Sequence, residues 1–405
     1  MDRLSETAIQ AFTLLRRDIH CHPELAFNER RTAALVAAQL GAWGYTVTTG
    51  LGGTGVVGRL RRGASARTLG LRADMDALPV HEATGAEWAS GTPGVMHACG
   101  HDGHTAMLLA AARHLADAGG FDGTLNLIFQ PAEEGGGGAL KMMEDGLFQR
   151  FPCDAIFAMH NMPGFAQGQL VFRSGPTMAS SDYASLTLHG VGGHGAMPQH
   201  AADPLVAAAS IVMALQTLVA RNVDPLQPAV VTVGALHAGV ANNVIPASAQ
   251  LELSVRALDP AVRRLLEQRI RELVRLQAES FGVRAELQWR PGYAVLVNDP
   301  EQTARALAVA QAHFPAAQVL AQGPMLTGSE DFAFMLERVP GSYLFIGNGA
   351  DQEPGGCMVH NPGYDFNDHN IGVGAAYWVA LVQDLMPLWG GEISPTLKKT
   401  WRQDP

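Results

Sequence analysis

Helical and extended patterns alternate along the first part of this chain, and that alternation limits the folds it can adopt. Segments with helical spacing, such as HTAMLLAAARHLADAG ahead of Gly119, separate short apolar runs. Five of these runs are rich in β-branched and apolar residues, as buried strands are: TVTTG, GVVGRL, TLGLRADM, TLNLIFQPAEE and AIFAMHN. Strands that alternate with helices predict an α/β fold, in which helices cover both faces of a sheet.

A second pattern interrupts this alternation near Ser181. From there the predicted elements follow the order β-α-β-β-α-β, which is the split, ferredoxin-like unit. The first pattern resumes after about Val295. The sequence therefore predicts one domain formed by residues 1–180 and 295–405, with a second domain at 181–294 inserted into it.

Length, charge and the distribution of apolar residues predict a two-domain protein without a nucleic-acid or membrane partner. A chain of 405 residues is too long for one simple core, so two domains are expected. The formal net charge of −10 argues against a nucleic-acid or anionic-membrane partner, because both require a basic face. The N-terminal segment lacks the apolar core and cleavage site of a signal peptide. No segment is expected to reach the roughly 18 apolar residues of a membrane span.

The cysteines also bear on the compartment. Cys21, Cys99, Cys153 and Cys357 are scattered along the chain and form no C-x-x-C pair. In a chain of this length, that pattern favours reduced thiols over a disulfide framework. A cytoplasmic protein is expected.

Potential metal ligands occur where predicted strands give way to loops. In open α/β sheets, the carboxyl ends of the strands are where ligands bind. Thiolate, imidazole and carboxylate groups that meet there suit a borderline-soft divalent metal of the zinc type. The candidates are Cys99, His101, Glu133, Glu134, His160 and His360.

These donors predict more than one ion. A thiolate, three imidazoles and a carboxylate exceed what a single tetrahedral ion needs, so two neighbouring ions that share a ligand are expected. The adjacent glutamates fit this arrangement, because one can coordinate metal while the other holds a water and removes its proton. Bound metal lowers the pKa of such a water toward about 7.

Other polar residues near these segments have structural interpretations. A lone buried cysteine or histidine is most often a core residue whose polar atoms are satisfied. Asp74 and Asp76 follow a predicted strand, and at least one of them is expected to orient a ligating histidine. Four histidines are interpreted as packing, capping or hydrogen-bonding residues: His20, His22, His97 and His104.

Taken together, these segments resemble the M20 metallopeptidase family. The similarity is to the amidohydrolase branch, which includes hippurate hydrolases, N-acyl-amino-acid amidohydrolases and plant auxin-conjugate hydrolases. It extends from the N-terminal helix to the C-terminal region. The matching segments are RRDIHCHPELAFNE, LRADMDALPV, GVMHACGHDGHTAML, FQPAEEGGGGA, AMHNMP, GVGGHGAMPQHAADP, ANNVIP, GSEDF and VHNPGYDFND.

The resemblance implies a fold and a cofactor. Residues 1–180 and 295–405 would form a di-metal catalytic domain, and residues 181–294 a lid domain through which subunits form a homodimer, or a tetramer. Two divalent ions per subunit are implied, with Zn, Mn, Co and Ni all suitable. The implied metal ligands are Cys99, His101, Glu134, His160 and His360.

The resemblance also implies a reaction. A metal-held hydroxide, generated by Glu133, would attack the amide carbonyl of an N-acyl amino acid such as hippurate, and Glu133 would then protonate the departing nitrogen. His194 would stabilise the oxyanion, in its own or the neighbouring subunit's site. Its flanking glycines allow the backbone to approach a ligand closely. Asn243 and Arg256 would hold the substrate.

Two other functions stay open at this point. One is a hydrolase in which Cys99 acts as the nucleophile with a nearby histidine, although that leaves Glu134 and His360 without a role. The other is a non-catalytic relative that keeps the fold in order to bind an acylated ligand. An intact Glu133 argues against the second.

Overall fold

In a computed structural model, residues 4–388 are described, so residues 1–3 and 389–405 of the predicted first domain lie outside the described part. The chain divides into two compact units. Unit 2 comprises Pro176–Val297 and Met325–Ala333. Unit 1 comprises the other described residues.

Sixteen strands and ten α-helices are defined within the described residues. The strands are β1 (Thr46–Leu51), β2 (Gly55–Arg62), β3 (Thr68–Asp74), β4 (Gly123–Gln130), β5 (Ala155–Pro163), β6 (Leu170–Val171), β7 (Gly175–Met178), β8 (Asp182–His189), β9 (Gly193–His194), β10 (Ala229–Ala238), β11 (Val244–Ile245), β12 (Ser248–Ala257), β13 (Arg284–Pro291), β14 (Leu296–Asn298), β15 (Val319–Leu320) and β16 (Gly341–Gly349). The helices are α1 (Glu6–Cys21), α2 (Arg30–Ala42), α3 (His101–Ala118), α4 (Gly138–Glu144), α5 (Leu147–Arg150), α6 (Pro204–Asn222), α7 (Pro260–Ser280), α8 (Pro300–His313), α9 (Phe332–Leu336) and α10 (Asn370–Leu385).

Unit 1 is built on an eight-stranded mixed sheet. Its strand order is β1-β2-β4-β3-β5-β16-β6-β15. Strand β3 runs parallel to both β4 and β5, and β16 runs parallel to β5. The carboxyl ends of these four strands therefore meet at one edge of the sheet. The predicted α/β class is confirmed.

The central strands and α3 form a core that fixes this edge. Every residue of β4 and of β16 is buried, as expected for strands covered on both faces. Helix α3 buries Leu108, Leu109 and Leu115 completely. Each fully buried leucine contributes roughly 1.5–3 kcal/mol relative to an exposed one. Helix α3, and with it His101 at its first position, is thereby anchored to the sheet.

Unit 2 contains the predicted β-α-β-β-α-β arrangement. Strands β8, β10, β12 and β13 form an antiparallel sheet in the order β10-β12-β8-β13. Helices α6 and α7 pack on it through apolar residues such as Ile211 and Leu266. Both helices start in the same way: Asp203 or Asp259 accepts hydrogen bonds from backbone N–H groups of the first turn, and a proline follows. A separate ribbon pairs β9 with β11.

Unit 2 spans Pro176–Val297, close to the predicted range 181–294, and it also includes a second segment. Met325–Ala333 belongs to unit 2, although it lies in the 295–405 range predicted for the first domain. The backbone N–H of Ala179 donates to the carbonyls of Leu326 (3.1 Å) and Gly328 (2.9 Å). Such long-range backbone pairing leaves no periodic signal in the sequence, so it could not be predicted.

Helix α6 departs from the expectation that no segment reaches membrane-spanning length. Among the described residues, it is the one helix that is long and apolar enough to cross a membrane by length and composition alone. In unit 2 it buries Ala208, Ile211 and Leu215 in the core. A core helix passes the same test of length and composition.

Candidate metal centre

The turn before α3 places two predicted ligands. Cys99 is buried, and His101 is the first residue of the helix. Gly100 lies between them with φ +88°. A Cβ at this position would lie 2.3 Å from both Asn161 Nδ2 and Tyr364 Oη, so only glycine fits. The sequence Cys-Gly-His therefore reflects the close packing of this turn against its neighbours.

His160 presents one ring nitrogen to Cys99. It lies in β5, and its Nδ1 donates to the backbone carbonyl of Asn161. That bond leaves Nε2 as the nitrogen with a lone pair, and this atom lies 3.3 Å from Cys99 Sγ. Burial holds the pKa of His160 well below its usual value, so the ring is neutral and able to coordinate metal.

His101 also directs one nitrogen into the cluster. Its Nδ1 donates to Asp76 Oδ1 (3.2 Å), and its buried Nε2 has no hydrogen-bond partner among the described residues. Burial alone would lower the pKa of His101, but the negative charges of Asp74 and Asp76 raise it to about 10. The surroundings therefore favour a positive charge at Nε2, which a proton or a metal ion can supply.

Two carboxylates fix the loop that carries Glu133 and Glu134 after β4. The backbone N–H of Ala132 donates to Glu29 Oε1 (2.9 Å), and that of Glu134 donates to Asp76 Oδ2 (2.9 Å). Glu133 is buried and Glu134 is partly buried. Asp76 thus holds the ring of His101 with one oxygen and the backbone of Glu134 with the other.

His360 reaches the same cluster from a loop after β16. Its φ of +66° is left-handed, and its backbone N–H donates to the carbonyl of Ala98 (2.7 Å). The side chain is half exposed, and Nε2 lies 3.0 Å from Glu134 Oε1.

The structure brings all the predicted ligands together, in two overlapping groups. In one group the ligand atoms of Cys99, His101 and His160 lie within 4.8 Å of one another. In the other, those of Cys99, Glu134 and His360 do so. Glu133 also lies within this distance of His101 and Glu134. The donor chemistry and the unpartnered Nε2 of His101 fit a borderline-soft divalent ion.

The two aspartates have different contacts. Asp76 contacts the predicted ligand His101 directly. Asp74 lies 2.6 Å from His104 Nδ1 and 2.7 Å from Arg72 Nη1. Burial opposes ionisation of Asp74, but His101, Arg72 and His104 hold its pKa well below the usual range. Both carboxylates therefore support the cluster: Asp76 by its hydrogen bond to His101, and Asp74 by its charge beside His101 and its contact with His104.

The remaining histidines of these motifs lie outside the cluster. His20 is buried, with Nδ1 2.8 Å from Asp102 Oδ2 and Nε2 3.4 Å from Glu82 Oε1. His22 is exposed and bonds to the carbonyl of Asp18. His97 is fully buried, and neither ring nitrogen has a hydrogen-bond partner in the described part of the chain.

The predicted substrate residues lie in unit 2. His194 is exposed on β9, and its Nδ1 accepts the backbone N–H of Ala196 (3.1 Å), so Nε2 carries the proton and can donate. Asn243 is exposed and accepts the N–H of Gly195 through its backbone carbonyl (2.8 Å). Arg256 Nη1 donates to Ser329 Oγ (3.2 Å).

The environment of Cys99 disfavours its use as a nucleophile. Burial, together with the charges of Glu134 and Glu133, raises the pKa of its thiol well above the usual value. A nucleophilic cysteine requires the opposite, a lowered pKa. A bound cation would supply the positive charge that stabilises the thiolate here.

Sequence reasoning missed two residues of this site. Asn161 and Tyr364 are fully buried and hydrogen-bonded to each other beside Cys99. The sequence did carry one signal for Asn161, because a polar side chain inside a predicted buried strand must form hydrogen bonds.

Comparisons with known proteins agree with this geometry. Residues 70–384 match Peptidase family M20/M25/M40. The chain is 44% identical to the hippurate hydrolase of Campylobacter jejuni, across 91% of this chain and 95% of that protein. It is 38% identical to the N-acetyl-L-cysteine deacetylase of Bacillus subtilis, across 90% and 85%. A dinuclear metal-binding M20 peptidase of Bacillus subtilis superposes with a TM-score of 0.82 at 30% identity, across 94% of this chain and 99% of that one.

The chain therefore belongs to the M20 peptidase family, and it is a metal-dependent amidohydrolase. The resemblance noted from the sequence motifs is confirmed.

Proposed function

We propose that this protein hydrolyses the amide bond of N-acyl amino acids of the hippurate type. The observation that carries the proposal is the pair of ligand groups that share Cys99, with the buried Glu133 beside them. The hippurate hydrolase and the N-acetyl-L-cysteine deacetylase, whose names state N-acyl amino acid substrates, support this substrate class.

Two divalent cations per subunit are proposed. Cys99, His101 and His160 would hold one, and Cys99, Glu134 and His360 would hold the other, so Cys99 would serve both. Zn, Mn, Co and Ni all suit this mixture of nitrogen, sulfur and oxygen donors. When bound, such ions supply Lewis acidity, which acidifies water and polarises a carbonyl oxygen.

The chain's own residues would move the protons and bind the substrate. Glu133 lies within reach of the ligand groups without being needed in either, so it would take a proton from water and give it to the leaving nitrogen. His194 would donate through Nε2–H to the oxyanion, in its own or a partner subunit's site. Asn243 and Arg256 would hold the substrate.

A panel of N-acyl amino acids assayed on metal-reconstituted protein tests the proposal. Benzoyl-, acetyl- and indolylacetyl-amino acids are compared at equal concentration, and hydrolysis of at least one is expected. Activity should disappear after treatment with a chelator and return when a divalent ion is added. Activity that survives complete metal removal would favour the cysteine mechanism, and binding without turnover would favour a non-catalytic relative.

We also propose that unit 2 mediates a homodimer. Strand β10 is an edge of its sheet and exposes Val230 and Leu236. Helix α6, which packs against β10, exposes Met213 (71%). A second copy pairing antiparallel with β10 about a two-fold axis would extend the sheet and cover apolar surface.

Light scattering is expected to give twice the mass of one chain for the wild-type protein, and a smaller mass for Leu236→Arg. A wild-type mass of one chain would contradict the dimer, and a mass of four chains would indicate the tetramer.

The cytoplasm is the proposed compartment, in keeping with four free cysteines.

A further inference from the structure

Three segments that carry predicted ligands meet at Asn161. This side chain is fully buried in β5, directly after His160. Its Nδ2 donates to the backbone carbonyl of Cys99 (2.7 Å), and its Oδ1 accepts from Tyr364 Oη (2.6 Å). Tyr364 belongs to the loop that carries His360. One amide therefore connects the Cys99 turn, strand β5 and the His360 loop.

The direction of every hydrogen bond around this amide is fixed. A backbone carbonyl can only accept, so the atom facing Cys99 must be the Asn161 nitrogen, and the oxygen must accept from Tyr364. Both the backbone N–H and the Nδ2 of Asn161 also point at His104 Nε2, at 2.9 and 3.0 Å. Because both of these groups are donors, His104 Nε2 must be the acceptor.

The tautomer of His104 follows from this. With Nε2 accepting, the proton of the neutral ring lies on Nδ1 and is donated to Asp74 Oδ1 (2.6 Å). Arg72 Nη1 donates to the other oxygen of Asp74 (2.7 Å). The chain of bonds thus runs from Arg72 through Asp74 and His104 to Asn161, all within the core. His104 has no free lone pair with which to bind a metal ion.

We infer that Asn161 is a positioning residue of the metal centre. It sets the spacing between the Cys99 turn, His160 and the His360 loop, so that their ligand atoms converge before any cation arrives. The amide is required for this, because its nitrogen supplies the donor that the carbonyl of Cys99 needs while its oxygen accepts the hydroxyl proton of Tyr364. The inference rests on the proposed ligand set.

The test exchanges the amide for a carboxylate of nearly the same shape. In Asn161→Asp an acceptor would face the acceptors of Cys99 and His104, so these contacts become repulsive. Partners that orient metal ligands are worth about 10- to 100-fold in metal affinity, and a loss in this range is expected. Tyr364→Phe removes a single hydroxyl and should weaken metal binding by about 3- to 10-fold.

The matched control is Tyr377→Phe. Tyr377 is also fully buried in unit 1, and its hydroxyl donates to the carbonyl of Ala306 (3.1 Å), away from the cluster. The dissociation constant of Zn²⁺ is measured on the full chain by competition with a chromophoric chelator. The melting temperature of each metal-free protein is recorded beside it. We expect Tyr364→Phe to lose Zn²⁺ affinity and Tyr377→Phe to keep it, at comparable melting temperatures.

The outcomes separate this inference from the proposed function. If the wild-type protein binds two Zn²⁺ ions but Asn161→Asp or Tyr364→Phe binds them as tightly, Asn161 does not position the ligands, although the proposed function survives. If Asn161→Asp fails to fold, the comparison of Tyr364→Phe with Tyr377→Phe decides. A wild-type protein that takes up no cation overturns the ligand set and this inference together.

Discussion

Glu133→Gln is expected to lower kcat by about 10²- to 10⁴-fold, the usual contribution of general acid–base catalysis. Glutamine keeps the size of the side chain but cannot accept a proton from water. Neither of the two ligand groups that share Cys99 needs Glu133, so the variant should keep its full metal content. Steady-state kinetics on hippurate and metal analysis of the same preparation check both parts.

Glu144→Gln is the matched control, because it makes the same exchange at an exposed residue of unit 1 that pairs with Lys141. Its activity should equal that of the wild type. Wild-type turnover by Glu133→Gln would show that another group handles the proton. Loss of metal from that variant would instead place Glu133 among the ligands.

Cys99→Ala is expected to remove both cations and, with them, the activity. Cys99 is the member that the two ligand groups share, so its loss weakens both at once. The metal affinity should fall by more than about 100-fold, since even the residues that support ligands are worth about 10- to 100-fold. Metal content after dialysis against a weak chelator measures the effect.

Cys153→Ala controls for the loss of a thiol. Cys153 lies in unit 1 outside the cluster, where its sulfur contacts Asn126 Nδ2 and the carbonyl of Phe151. This variant should bind metal normally.

Cys99→Asp supplies a different anionic ligand, so partial recovery of metal and activity is expected. A Cys99→Ala protein that keeps its metal but loses activity would favour the mechanism in which Cys99 is the nucleophile.

The elements of the fold were predictable because periodicity is a local property. The apolar run of β4 and the helical spacing of α3 appear within a few residues of sequence, and so does the β-α-β-β-α-β order of unit 2. The pairing of distant segments was not predictable in this way. The place of β16 between β5 and β6, and of Met325–Ala333 in unit 2, depends on contacts between residues far apart in the chain.

The same distinction, between local patterns and contacts of distant residues, applies to the site. Ligand-type residues at the ends of strands predicted a cluster. In the structure, the ligand atoms within each of the two groups that share Cys99 lie within 4.8 Å of one another. That these residues bind metal stays a prediction. Among the residues that hold this cluster, the sequence predicted a role for Asp74 or Asp76 but not for Asn161 and Tyr364. Nothing in the sequence says that Asn161 faces the carbonyl of Cys99, or that Asp76 joins His101 to the backbone of Glu134. Those roles depend on the direction of individual hydrogen bonds.

The order of the large sheet has a consequence for how the protein is made. Strand β16 lies between β5 and β6, yet the ribosome synthesises it only after Pro176–Val297. Until then the nascent chain carries β5 with an edge of unpaired backbone N–H and C=O groups, which is a template for pairing with other chains. The middle of this sheet is filled last. A chain that stalls before Gly341 therefore leaves the edge of β5 unpaired and lacks His360, so the catalytic centre cannot form until the loop that carries His360 has been synthesised.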